Sequence, residues 1–263
     1  MFRNLMPRYE ILSPAGLETI ERGWQRIVSE IGIEFLHDDA LALFREAGQR
    51  VEGNVVHLDP QFVLDQVART PREFHLRARN PEHSLILGGD HMVFAAVSGP
   101  PFFRVGDERR DGTLADYELM AKLVQHFPQL DMCTMPVIEA NDRPLDSRHL
   151  DMMLAALTYT DKPVFGSALS TANAQDCVAM NELLFPGIPI AEPPDADGRP
   201  TASVMTIVNV NSPLRYDDRM LEALLVYAAA GQAVVVTPFL LMGAMAPVSV
   251  VAALAQQLSL IHI

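Results

Sequence analysis

Asn209 and Asn211 stand two residues apart at the end of the apolar run TASVMTIV, and SPLRYD follows with its proline and its helix-starting aspartate. A strand that simply stopped would end in glycine or a solvated charge. Two primary amides at strand-end positions offer donors and acceptors without net charge. Such groups can hold a carboxylate or a polar substrate while leaving an ammonium unpaired. The plainer alternative is a turn cap, a role asparagine often takes. The residues alone leave both open.

Side-chain period decides which neighbours share that end, because alternate residues of a strand face opposite sides. Val204, Thr206, Val208 and Val210 make a β-branched face suited to pack under helices, which turns Ser203, Met205, Ile207, Asn209 and Asn211 inward. In QAVVVTPF, Thr237 and Phe239 point inward if Val234 and Val236 pack outward. KPVFGSA ends in Gly166 and Ser167, MCTMPVIEA in Glu139, and MVFAAVSGPPFF in Ser98, Gly99 and the pair Phe102-Phe103. The substrate-binding candidates are therefore Asn209, Asn211, Thr237, Phe239, Ser167, Glu139 and Phe103. They show no nucleophile elbow and no His/Cys/Asp cluster at metal-ligand spacing, so neither a catalytic residue nor a metal ligand is assigned. His149, at a helix start, reads as solvated or capping. Cys177 falls on a helical core face and Cys133 near a strand start, both as packing.

The elements that must position these residues change character along the chain. Residues 1–91 read as a mixed α/β lobe. Ser13-Pro14 opens a helix whose apolar face is Leu17, Ile20, Trp24, Ile27, Val28 and Ile31. Helices over 37–47 and 60–68 follow, with one hairpin at VEGNVVHL and another across FHLRARNPEHSLIL. From Met92 on, short apolar runs alternate with helical patterns. Thr113 and Asp116 form a capping box. The helix after Asp146 shows Leu150, Met153, Leu154 and Leu157 on one face. The helix from Thr171 buries Ala174, Cys177, Val178 and Leu184, and the one after Asp217 uses Met220, Leu221, Leu224 and Leu225.

Strands apolar on both faces and separated by helices imply parallel pairing under helical cover. No glycine-rich phosphate loop follows a strand, which favours a (β/α)8 barrel over an open doubly wound sheet. Five barrel strands are visible over 92–257, so the barrel is expected to be incomplete. PGIPIAEPPDADGRP reads as an irregular acidic loop on the bottom face. The final LSLIHI, residues 258–263, matches one translated frame of a transposon-end adaptor, which predicts a non-native tail that packs on nothing; the plain alternative is that AALAQQLSLIHI is one ordinary apolar helix.

Composition bounds the class. Hydrophobic residues make up 49% and charged ones 20%, as in soluble globular proteins. No apolar run reaches a membrane span, and two cysteines make no disulfide framework, so a reducing cytoplasm is expected. The net charge of −13 argues against nucleic acid and anionic membrane as partners.

With these residues in view, the sequence resembles the trimethylamine methyltransferase family of corrinoid-dependent methyltransferases. The matching stretches are RHLDMMLAALTYTDKPVFGS, NVNSPLRYDDRMLEALLVYAAAGQAVVVTPF and MGAMAPVSVVAALAQQ, with weaker similarity back to the first helix. The resemblance implies a β/α barrel roughly twice this length that moves a methyl group from a methylated amine to the cobalt of a corrinoid carried by a separate protein. It implies a homo-oligomer at full length. Trimethylamine and quaternary amines such as glycine betaine both fit, with the quaternary amine favoured. Aromatic faces at the barrel mouth would suit a methylated ammonium, with Asn209, Asn211 and Thr237 on its polar end. The alternatives are a non-catalytic amine-binding module, an inactive fragment, or a barrel lyase or aldolase. The last would need a Schiff-base lysine, and the only lysines are Lys122 and Lys162.

Overall fold

The structure, a computed structural model, describes residues 2–7, 9–186 and 194–262. Its α-helices are α1 (Pro14–Arg26), α2 (Asp38–Glu46), α3 (Pro60–Arg69), α4 (Leu114–His126), α5 (Arg148–Tyr159), α6 (Thr171–Leu184), α7 (Asp218–Ala229) and α8 (Val250–Ile261). The chain divides into two compact units. One comprises Met1–Leu5, Pro71–Ile207 and Leu225–Val234, the other Met6–Thr70, Val208–Leu224 and Val235–Ile263.

In the unit containing Met6–Thr70, α1 begins where Ser13 accepts a hydrogen bond from the Gly16 amide at 3.2 Å and Pro14 fills the first helical position. Ile20, Trp24 and Val28 are buried, but Leu17 and Ile31 are exposed, so the stripe is narrower than its six apolar residues predict. The helix widens into a π-turn over Ile27–Ile31. That turn changes the residue period and carries Ile31 off the buried face. The strands Ile33–Phe35, Val55–His57 and Arg50–Glu52 pair antiparallel, the last two through a turn where Gly53 takes φ of 60°. Arg215–Tyr216 joins them as a parallel fourth strand beside Ile33–Phe35.

Gly23 lets α8 lie close on α1, since a Cβ there would meet the Ala255 Cβ at 2.8 Å. The core gathers Trp24, Phe35, Val56, Tyr216, Leu221 and Leu260. Tyr216 stacks on Phe35 at 5.2 Å and donates its hydroxyl to the Leu260 carbonyl at 2.6 Å. The rings of Trp24 and His262 meet edge to face at 5.3 Å. Residues 258–262 therefore pack, where the adaptor reading expects a tail that packs on nothing. They prolong α8, whose apolar face finds this core, and Leu260 is wholly buried. Ile263 lies outside the described residues.

In the other unit, the hairpin Glu73–Leu76 with Leu85–Gly88 receives Thr201–Ala202 as a parallel neighbour. That pairing draws residues 71–91 away from a single lobe over 1–91. The capping box of Thr113 and Asp116 starts α4, which packs on α5, and α5 on α6. Of the four α5 residues predicted as its core face, only Met153 is buried. The stripe His149, Met152, Met153, Ala155 and Ala156 goes inward instead, leaving Leu154 59% exposed. Apolar residues line both sides of α5, and the stripe rich in alanine and methionine permits the closer helix approach. A second hairpin, Phe102–Val105 with Glu108–Asp111, stands where a plain strand end is predicted.

The five apolar runs neighbour one another in sequence order. Ala95 bridges Met132, Cys133 bridges Val164 and Phe165 bridges Met205, each parallel, and Met205–Val210 lies beside Ala233–Pro238. This is an α/β fold. The described residues form no closed sheet. The runs before Met205 shrink from predicted strands to isolated bridges, since Pro136 and Pro163 remove ladder donors there. No helix among the described residues is long and apolar enough to cross a membrane.

Replacing Leu260 with alanine should lower unfolding stability by about 2–4 kcal/mol, the range for deleting a fully buried leucine side chain. Urea denaturation of the two chains measures it. An unchanged midpoint would mean that the end of α8 adds nothing to the core.

Candidate functional site

The strand Met205–Val210 keeps its predicted register. Val204, Thr206, Val208 and Val210 are at most 1% exposed, whereas Asn209 is exposed on the opposite face. Asn209, Asn211 and Phe239 line one cavity of about 630 Å³, together with Val210, Ser212, Arg215 and Met245. The Thr237 hydroxyl donates to Asn209 Oδ1 at 2.8 Å, closer than its 3.3 Å approach to the Val208 carbonyl. With its oxygen so engaged, Asn209 has its NH2 left to offer a ligand. Phe239 is 67% exposed, and its carbonyl accepts from the Ser212 hydroxyl.

Asn211 carries both roles that its sequence position allows. Its backbone exchanges two hydrogen bonds with Arg215, at 2.8 and 3.0 Å, closing the turn through Ser212, Pro213 and Leu214. Its side-chain NH2 donates to Asp217 Oδ2 at 3.0 Å. The amide oxygen is its remaining polar atom on the cavity side. The lining thus combines a donor, an acceptor, a ring face and a thioether, with Arg215 as its charged member.

The other three candidates belong to the unit containing Pro71–Ile207 and are engaged locally. Ser167 is buried, and its hydroxyl accepts from the Leu169 amide and Asn173 Nδ2, both at 3.4 Å. Its backbone N–H donates to Cys177 Sγ at 3.3 Å, and its carbonyl accepts from Tyr227 at 3.0 Å. Glu139 accepts from Arg148 Nη1 at 3.3 Å. The Arg110 guanidinium covers the Phe103 ring at 5.2 Å, and Arg109 covers Phe102 at 3.9 Å. Those rings hold the chain's own cations, so they are not the open ammonium faces that the sequence predicts.

Other groups correct or sharpen the reading. His149 is not solvated: it is 3% exposed, with Nε2 2.8 Å from Asp176 Oδ2 and a buried Nδ1 that has no partner. It sits on the inward stripe of α5, which period alone does not separate from the outward one. Burial pushes the Cys133 thiol up to about 12 and the Cys177 thiol up to about 11, so both stay protonated near neutrality. Lys162 donates to the carbonyls of Val124, Phe127 and Leu130 at 2.7, 2.9 and 2.7 Å. Those bonds tie Nζ to the end of α4, and burial lowers its pKa. Of the acidic loop, residues 187–193 lie outside the described residues, while Asp195 and Asp197 both pair with Arg199. No metal-holding cluster occurs among the described residues.

Arg215, Ser212 and Met245 escape the period argument. Ser212 and Met245 lie on turns, where alternation assigns no side, and Arg215 lies on a two-residue strand too short to be read from the sequence. The one available signal is the shortness of the turn that returns the chain from Asn211 to Arg215.

The strands Met205–Val210 and Ala233–Pro238 thus end beside a cavity lined by amides and a ring. The chain belongs to the trimethylamine methyltransferase family: the family described as Trimethylamine methyltransferase (MTTB) matches residues 1–259. It is 37% identical over 255 residues to the glycine betaine methyltransferase of Desulfitobacterium hafniense (strain Y51), covering 97% of this chain and 52% of that protein. It is 24% identical over 232 residues to the proline betaine:corrinoid methyltransferase of Eubacterium limosum, covering 86% and 46%. The crystal structure of the hydroxylamine MtmB complex aligns with a TM-score of 0.58 at 12% identity, over 93% of this chain and 49% of that one. This last likeness concerns the fold alone. The chain spans about half the length of the curated relatives it matches.

Asp116 supplies a pH test of the hairpin carrying Phe103. It is 6% exposed and accepts from Arg110 at 2.5 and 2.8 Å and from Thr113. Arg110, then the Thr113 bonds, lower its carboxyl from 3.8 to about 2. A depressed folded value stabilises above the unfolded value and is lost as pH falls through the folded one. Because Arg110 is half exposed, screening trims the contribution to about 1–2 kcal/mol. Asp116→Asn should lose that much at pH 7 in urea titrations and converge with the parent as pH approaches 2. A gap that persists in acid would mean that the change acts through packing.

Proposed function

We propose that this chain forms the substrate-binding half of a methyltransferase that takes a methyl group from a quaternary amine, glycine betaine above all, and delivers it to the Co(I) of a corrinoid on a separate protein. In this reading the five sequence-ordered runs are strands of a (β/α)8 barrel, and the cavity lies at the carboxyl ends of the last two. The observation that carries it is the shared cavity of Asn209, Asn211 and Phe239 in a chain of this family. Two relatives are named for betaines, which join a quaternary ammonium to a carboxylate, and the cavity offers a surface for each.

The chemistry asks little of acids and bases. A corrinoid brought by the partner protein would supply the acceptor for the methyl as a cation equivalent, and the amine would leave neutral with the electron pair of the broken C–N bond. The protein must present the N–CH3 bond in line and exclude water, which is catalysis by proximity. Phe239 gives the ammonium a ring face. Asn209 donates to the polar end, and Thr237 keeps the Asn209 amide in that orientation.

Stopped-flow loss of Co(I) absorbance on mixing the chain, glycine betaine and a cognate corrinoid protein tests transfer, with calorimetry for binding. Binding with transfer supports the reading. Binding without transfer selects the amine-binding module instead, and no binding overturns both. Phe239→Leu should weaken glycine betaine by about 1 kcal/mol, the cation–π contribution. It should spare 3,3-dimethylbutanoate, in which carbon replaces the charged nitrogen. Asn211→Ala should slow transfer on the order of 10–100-fold through lost positioning, with an unchanged pH profile because neither residue titrates. Equal loss for both ligands, or a shifted pH optimum, would contradict these roles.

A further inference from the structure

Arg215 is the charged member of the cavity lining, and the alternation of Arg215 and Tyr216 sets its direction. Tyr216 is buried against Phe35, so its neighbour must face the other way, and Arg215 is exposed on the wall shared with Asn209, Asn211 and Phe239. Its Nε is held by the Glu34 carboxylate, the residue opposite it in the parallel strand pair. Nη1 and Nη2 have no hydrogen-bond partner among the described residues, which leaves the outer edge of the guanidinium fork available. That edge matches a carboxylate with two parallel N–H···O bonds.

We propose that Arg215 binds the carboxylate of a zwitterionic quaternary amine and thereby selects betaines over methylated amines that lack an acidic group. This deepens the reading of the cavity as an ammonium site and rests on it. Glu34 both aims the fork and competes for its charge. A bare methylated ammonium meets only the repulsion of the guanidinium, so one residue attracts the right substrate and disfavours the wrong one. Asn209, with its NH2 free of Thr237, supplies a further donor beside the fork.

Calorimetric titration of the 263-residue chain with glycine betaine and with tetramethylammonium tests this. Arg215→Ala should weaken glycine betaine by about 10–100-fold, the span for a lost charge-assisted hydrogen bond, and leave tetramethylammonium unchanged or tighter. Arg215→Lys should fall between, keeping the charge without the fork. Equal weakening of both ligands would assign Arg215 to cavity shape and overturn the proposal, as would unchanged betaine affinity. A parent that binds tetramethylammonium but not glycine betaine also overturns it, while leaving the ammonium reading intact. A parent that binds neither sinks the cavity reading and this proposal together. Should Arg215→Ala fail to fold, Glu34→Gln decides the matter. Its amide still accepts from Nε but no longer competes in charge, so betaine should bind several-fold tighter, and unchanged or weaker binding counts against Arg215.

Discussion

Burial of one face of a single strand holds the candidate site in place. Val204, Thr206, Val208 and Val210 give up nearly all contact with solvent. A slip of one residue would carry Val208 and Val210 to the exposed places of Asn209 and Asn211, each valine worth about 1.5–3 kcal/mol when buried, and would swing both asparagines into the core. Further bonds fix the beginning of this stretch. Gln232 Oε1 accepts from the amides of Ser203 and Val204 at 2.9 and 3.1 Å, and Thr206 donates to the Gly166 carbonyl at 2.8 Å. The orientation of Asn209 is thus set by apolar packing several residues away. Thr237 then chooses which end of the amide looks outward.

The same period of two resumes after the turn. Two backbone hydrogen bonds close the path from Asn211 to Arg215, and the buried Tyr216 ring determines the side on which Arg215 emerges. Asp217 ends the sequence of constraints. One carboxylate oxygen accepts from Asn211, the other from the Met220 amide at 2.9 Å, so the side chain that steadies the cavity amide also caps α7. Turn capping and substrate contact were rival readings of Asn211. The structure lets one residue serve the first without surrendering its carbonyl oxygen to it.

How far the sequence reveals this depends on how regular each stretch is. Helix starts at Ser13 and Thr113 are legible because capping chemistry is local. The face of the strand ending at Val210 is legible because β-branched residues alternate with other types there. α5 misleads, since leucine, methionine and alanine surround it and only its neighbours decide which stripe is buried. Phe102 and Phe103 mislead for a related reason: composition marks them as aromatic, but the arginines that cover them arrive from the second strand of a hairpin. His149 is another such case, polar in type and buried in fact. The segment 258–262 reads as foreign by its letters, yet its period continues α8 and its leucine reaches the core. Arg215 is hidden because its strand, Arg215–Tyr216, is too short to show a period by its letters.

The distribution of reactive groups separates the competing chemistries more sharply than the fold does. Lys162, the nucleophile a lyase or aldolase would require, is tied to three carbonyls where α4 ends, in the unit containing Pro71–Ile207 and not in the lining of this cavity. Both thiols are held protonated by burial. What faces the cavity instead is a pair of amides, a hydroxyl, a phenyl ring, a thioether and a guanidinium. The proposed reaction, in which a neutral amine departs from a methyl group, asks for no proton partner. It needs the cation seated against a ring and the anion against a fork, and Phe239 and Arg215 line the same cavity.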